Sequence, residues 1–338
     1  MTSTLTTTKR NQSLEVCKLV AAVFVVFLHV PFPEVFGSVI RCLSRMAVPL
    51  FFAISGWFSF RVEGARLGKR LVHLWKLEGL GILIYGGYRC FIALYLGGSW
   101  QDCWQAVTFP GEKILRWLVL NVDPYSGHLW YLSAAAMCYL VLWAYTKLRR
   151  KRPVSYRPLY LLGAVLLCAH FAMGEFARFT GIWVDYRVYR SGAFLGLPMF
   201  LMGLFLREHR EKLQQKLRFR EAWLILGGVA LSILEWLTLG GAELYLGTVL
   251  AVAAMLLYFD RHPMSHRDMA PLGRMSTTIY LLHLMVLQIY QGFLQSSAQA
   301  VLGNAEPWLA PVLVATVSLL IAWVWERLKV FPRMKIKG

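Results

Sequence analysis

Residues 13–31 read SLEVCKLVAAVFVVFLHVP, an almost wholly apolar run with a glutamate and a lysine near its start and a histidine near its end. If the run is helical, Lys18 and His29 return to one face after three turns, roughly 16 Å apart along the axis. Glu15 stands three residues before Lys18, a spacing at which helix side chains pair. An ionisable group inside a bilayer costs roughly 2.5–3.5 kcal/mol on insertion scales, so each of these residues calls for a partner or a task. Two readings fit the spacing alone. Lys18 reaches out to the inner interface with Glu15 neutralising it and His29 merely hydrogen-bonded near the outer mouth, or the three are machinery.

The rest of the chain favours a membrane setting. Of its 338 residues, 57% are hydrophobic and 16% charged, against about 25% charged in soluble domains. The apolar residues fall in blocks of the length that crosses a bilayer as a helix. Spans are expected at 14–32, 39–60, 72–96, 126–146, 156–174, 188–206, 220–239, 243–259, 276–295 and 307–327. The fold class is therefore all-α, a polytopic transmembrane helix bundle of about ten spans. With the N-terminus inside, the inward segments hold 27 of the 36 Lys and Arg residues, and that asymmetry predicts both termini to be cytoplasmic. The net charge of +18 is thus spent on topology, and no basic face on a soluble fold points to nucleic acid.

Residues 1–13 are expected as a cytoplasmic tail, 14–328 as one transmembrane domain and 329–338 as a basic cytoplasmic tail. The segment 98–125 suits an interfacial helix with Trp100, Trp104 and Trp117 at headgroup level. Six cysteines at 17, 42, 90, 103, 138 and 168 show neither zinc-ligand nor redox-dithiol spacing. They read as small apolar residues, and no metal is expected.

Further polar residues fall at outer span ends: Arg45 opens the second span, His128 the fourth and Arg190 the sixth, with Glu235 near the end of the seventh. Each is an interfacial anchor or part of a shared polar cavity. Arg89 lies deep in the third span and needs a carboxylate or carbonyl partner. His283, in STTIYLLHLM of the ninth, is a cavity wall or a helix–helix hydrogen bond.

Five stretches in order resemble the acyltransferase-3 family of membrane acyltransferases. They are SLEVCKLVAAVFVVFLHV, RMAVPLFFAISGWF, GHLWYLSAAAM, YRSGAFLGLPMFLMG and LGRMSTTIYLLH, spread over about residues 10–325. Within the family the pattern is similar to the enterobacterial-antigen type of O-acetyltransferase and to the membrane half of vancomycin-resistance serine racemases. The resemblance implies a bundle of some ten helices that carries an acyl group, usually acetyl, from cytoplasmic acyl-CoA to a hydroxyl of an envelope glycan or lipid-linked sugar. It places the chain in the bacterial inner membrane, with acyl-CoA as co-substrate and no permanently bound cofactor.

By the same resemblance His29 matches the family's catalytic histidine, and His128 joins it as a catalytic candidate. Lys18 stands where the family has arginine, keeping the charge but not the planar fork that suits phosphate. Glu15, Lys18, Lys69 and Arg70 are the expected donor-binding set, with Arg274 as a further cation at the inner face. Lys69 and Arg70 belong to a loose version of the family's R-x-x-R motif, Arg66-x-x-Lys69 and Arg70-x-x-His73. Arg45, Arg190 and His283 are expected at the acceptor or the developing oxyanion. Two rival readings are a transporter of a small polar substrate such as an amino acid and a non-catalytic scaffold.

Overall fold

The computed structural model describes residues 11–108, 111–149, 154–264 and 269–328. Of the two expected tails, only residues 11–13 fall within this set. No strand occurs among the described residues. In chain order the helices are α1 (Gln12–His29), α2 (Glu34–Ser44), α3 (Ala47–Trp57), α4 (Gly64–Tyr95), α5 (Trp100–Val107), α6 (Gly111–Leu120), α7 (Trp130–Leu148) and α8 (Arg157–Phe171). Then come the short turns α9 (Ala177–Phe179) and α10 (Tyr186–Tyr189), followed by α11 (Leu197–Leu217), α12 (Glu221–Leu239), α13 (Leu246–Arg261), α14 (Ala270–Ile289), α15 (Gln295–Leu302) and α16 (Glu306–Leu328).

Among the described residues seven helical runs are long and apolar enough to cross a membrane: 12–29, 34–57, 64–95, 127–148, 157–179, 221–239 and 270–328. The last run encloses two of the expected spans. The expected spans at 188–206 and 243–259 are largely helical but fall outside that measure. One reason is that α11 continues into the polar stretch REHREKLQQKL; the other is that α13 has only 16 residues.

The chain divides into two compact units, one of residues 1–47 and 255–338, the other of residues 48–254. In the first unit α1 starts at Asn11, whose side chain accepts hydrogen bonds from the Ser13 and Leu14 N–H groups and so satisfies two orphan donors of the first turn. The same turn is sewn to the last turn of α13 and to the connection that follows it. Asn11 Nδ2 donates to Phe259 O, Ser13 Oγ donates to His262 O, and Gln12 Oε1 accepts from Met269 N at 2.7 Å. From there α14 runs beside α1 in the same direction: Glu15 lies at Gly273, and His29 lies at His283. Helix α16 returns antiparallel along α14, with Glu306 against Tyr290 and Glu326 against Arg274.

In the second unit two glycines let backbones touch. A Cβ on Gly56 of α3 would strike the Phe200 carbonyl of α11, and one on Gly203 of α11 would strike the Ala53 carbonyl of α3. Small residues of this kind let membrane helices approach closely and gain dispersion contacts that lipid would otherwise supply. Helix α7 packs along both α4 and α11, with Trp143 near Gly68 and Tyr139 edge-on to Phe200. With 32 residues, α4 is roughly 48 Å long, well beyond the ~30 Å hydrocarbon core.

The far end of α4 overturns two expectations. Cys90 is disulfide-bonded to Cys103 of α5, with Cα atoms 4.5 Å apart, so these two cysteines are a crosslink and not small apolar filler. Cys17, Cys42 and Cys138 are buried, as filler should be. The expected single interfacial helix is two short ones, α5 and α6. Trp100 and Trp104 are exposed, but Trp117 turns inward and donates its indole N–H to Glu78 Oε1 at 2.9 Å.

Because Gly56 meets main chain and not a yielding side chain, Gly56→Val should lower the thermal midpoint of the detergent-solubilised protein. The loss should correspond to about 3 kcal/mol or more. Temperature-ramped size-exclusion chromatography reads it, and a midpoint equal to the parent's would disprove the contact.

Candidate active site

In the first unit the polar residues of α1 gather at its two ends. Glu15 is 1% exposed, and its Oε1 lies 3.3 Å from Lys18 Nζ. The carboxylate also rests on the backbone of α14, where a Cβ on Gly273 would collide with it. A buried carboxylate is tolerated when paired, and the three-residue spacing on α1 supplies the pair. Arg274, the further cation expected at this end, is already engaged: its guanidinium forks onto the Glu326 carboxylate, with Nε 3.0 and 2.9 Å from the two oxygens.

At the other end His29 is exposed and its ring lies 5.2 Å, centroid to centroid, from that of His283. His283 is fully buried. Its Nδ1 donates to Ile279 O at 3.0 Å and to Tyr280 O at 2.9 Å. On the α1 face between Lys18 and His29, Ala22 and Val25 are buried. Arg45 stands at the break between α2 and α3, within the apolar run 34–57.

In the second unit Lys69 is exposed. Its neighbour Arg70 holds the end of α3, donating from Nη1 to Phe58 O at 3.0 Å and Ser59 Oγ at 3.1 Å. The two are therefore not one cluster. His128 is buried at the start of α7, with Nδ1 2.8 Å from Ser126 Oγ and the Tyr85 ring edge-on at 5.1 Å. Arg190 lies over the rings of Trp130 and Tyr186, at 5.3 and 4.7 Å, which brings it beside the helix start that carries His128. Arg89 finds the carbonyl it needs at Tyr125 O, 2.9 Å away. Glu235 accepts from the Leu246 and Gly247 N–H groups and so caps α13.

Two buried carboxylates near His128 escape the sequence reading. Glu78 of α4 is 1% exposed; Oε1 takes the Trp117 indole, and Oε2 has no hydrogen-bond partner among the described residues. Asp123 Oδ1 accepts from the Tyr125 and Ser126 N–H groups, each at 2.8 Å. Its Oδ2 has no such partner among the described residues either. Glu78 carried the same signal as Arg89, an ionisable residue within an apolar run. Asp123 sits in the NVDPYSGH turn and carried none.

Two hollows lie elsewhere in this unit. One of about 10 Å³, beside His170, Glu175 and Glu243, holds about one water and is too small for a sugar or thioester. The other, about 570 Å³ and open, is bordered by Lys212, Gln215, Lys216, Arg218 and Arg220.

Comparison with known families adds one match. A family model described as an acyltransferase domain covers residues 11–327. Among curated proteins, none matches the chain.

Asp123 gives a pH test. Burial pushes its carboxyl above the ordinary carboxylate range, against the pull of the Ser126 and Tyr125 N–H groups and of Arg89. A carboxyl raised in the folded state makes stability fall as pH rises from the unfolded value through the folded one. In Asp123→Asn the amide oxygen still accepts both N–H groups and nothing ionises. The variant should match or exceed the parent's thermal midpoint at pH 7 and lose its decline above about pH 4. Parallel declines in both proteins would refute this.

Proposed function

Because the chain belongs to the acyltransferase-3 family, we propose that it moves an acyl group, acetyl by default, from cytoplasmic acyl-CoA to a hydroxyl of an envelope glycan or lipid-linked sugar in the bacterial inner membrane. The observation that carries this reading is the parallel packing of α1 on α14. It gathers Glu15, Lys18 and Gly273 at one end and His29 with His283 at the other. A cation at the cytoplasmic end suits the polyanionic head of CoA, and an imidazole some 16 Å further along the helix suits the thioester at the tip of its pantetheine arm.

In this reaction His29 takes the proton of the acceptor hydroxyl as its oxygen bonds to the thioester carbonyl carbon. The carbon–sulfur bond then breaks, the electron pair leaves on sulfur, and the imidazolium returns the proton to give free CoA and the ester. Lys18, held by Glu15, meets donor phosphate. His128 and Arg190 at the start of α7 serve the acceptor or the developing oxyanion, and Arg45 is kept as a candidate for the same role. The donor arm needs the buried stretch at Ala22 and Val25 to part. Lys69, exposed at the start of α4, remains a phosphate contact; Arg70 supports the end of α3 and acts on the donor side through it. No observation favours the transporter or scaffold readings over this one.

The same reading keeps ten crossings with both termini cytoplasmic. Five packed pairs run as strict alternation requires: α1 parallel to α14, α14 antiparallel to α16, α4 antiparallel to α7, α8 antiparallel to α11 and α12 antiparallel to α13. The Cys90–Cys103 bond belongs in an oxidising compartment, which agrees with an outward connection at 97–125.

CoA release from acetyl-CoA, measured in purified membranes across a panel of envelope glycans, tests the reaction. His29→Ala should lower turnover by 10²-fold or more with insertion intact; full turnover would remove it as the base. Lys18→Ala should raise KM for acetyl-CoA, and an unchanged KM would remove it from the donor site. For topology, a membrane-impermeant maleimide applied to intact cells should modify Cys90 and Cys103 only after reduction, and labelling confined to inverted vesicles would reverse the assignment.

A further inference from the structure

We propose that His283 is a positioning residue for His29: it fixes which nitrogen of His29 carries the proton. The proposal rests on reading His29 as the general base. It replaces the expectation that His283 donates to the acceptor or an oxyanion.

The chemistry starts from the backbone of α14. His283 Nδ1 faces two carbonyl oxygens, Ile279 O and Tyr280 O. Carbonyls only accept, so Nδ1 carries the proton, and the neutral ring has a bare lone pair on Nε2. A nitrogen in that state accepts hydrogen bonds and cannot stabilise an oxyanion. The Nδ1 bond alone is not distinctive, because His209 and His262 make the same contact to the carbonyl four residues back. Those two are not buried. His283 differs in being fully enclosed and in facing a second imidazole.

That imidazole is His29, with ring planes inclined at 44° and centroids 5.2 Å apart. Rings at this spacing share one hydrogen bond of ordinary length when a nitrogen of each points along the line between them. That bond from His29 to His283 Nε2 is not made in this structure, and it requires His29 to turn to the rotamer that makes it. If His29 donates its N–H to His283 Nε2, its remaining nitrogen is left unprotonated, and that nitrogen is the base. When it takes the acceptor's proton, the resulting imidazolium still has its first N–H directed at a lone pair. No second proton moves. A base is commonly oriented by a third group in this way. Glu15, fourteen residues back on α1, is roughly 21 Å away along the axis and cannot play the part.

The test compares His283→Leu, which removes the acceptor, with His283→Gln, whose side-chain oxygen can reach the Nε2 position. His29→Ala is the control. CoA release from acetyl-CoA with the polysaccharide fraction of a bacterial envelope gives kcat and KM. In parallel, ¹⁵N-histidine spectra of the detergent-solubilised protein give the tautomer of neutral His29. We expect His283→Leu to lose about 10²-fold in kcat with KM for acetyl-CoA within threefold of the parent. His283→Gln should recover at least tenfold of that loss. His29 should show one tautomer in the parent and in His283→Gln, and a mixture in His283→Leu. Should the Leu variant fail to fold, the Gln variant carries the test alone: a folded His283→Gln as inactive as His29→Ala, or with mixed His29 tautomers, overturns the proposal. So does a His283→Leu enzyme with parental kcat while His29→Ala is dead, a result that leaves the base assignment standing. Parental turnover in His29→Ala is the separate failure of the underlying reading.

Discussion

A carboxylate that cannot reach water must be answered by protein, and in α1 that requirement organises the helix start. Glu15 is enclosed, so it takes Lys18 as its counter-ion and lies on α14 where only a glycine leaves room. At the other end of the same packed pair His29 meets His283. This contact and that of Glu15 with Gly273 together define the parallel direction of α14 against α1. The Glu15–Lys18 pair thus contributes more through position than through its own Coulomb energy, which is small net of desolvation.

The second unit answers the same requirement differently. Two of its buried acids are met by an indole and by turn N–H groups, Glu78 by Trp117 and Asp123 by Tyr125 and Ser126. Three of its arginines are committed to carbonyls and rings: Arg70 on the end of α3, Arg89 on Tyr125, Arg190 on Trp130. An arginine committed to backbone carbonyls is a structural part first, which is why Arg70 and Lys69, adjacent in sequence, differ so much in availability.

Local periodicity was readable and partner choice was not. The Glu15–Lys18 pair follows from a three-residue spacing on one helix, and the apolar blocks marked nearly every long helix. That His29 would meet His283 depends on which helices pack together, and over 250 residues separate them. The Cys90–Cys103 bond had no motif to announce it, because a chain reversal between α4 and α5 makes it. The break between α2 and α3 beside Arg45 was not legible either, because the apolar run continues through it. Trp117 was expected at the headgroups since tryptophan usually sits there; the hydrogen-bonding need of Glu78 drew it inward.

The contact of α3 with α11 has one more consequence. At Gly56 and Gly203 the two main chains meet with no side chain between them. Side chains cushion sliding by changing rotamer, and bare carbonyls have no rotamers to change. Neither helix can roll on the other without lifting off it. Any working motion in this part of the protein therefore has to carry α3 and α11 as a single rigid strut and find its hinge elsewhere.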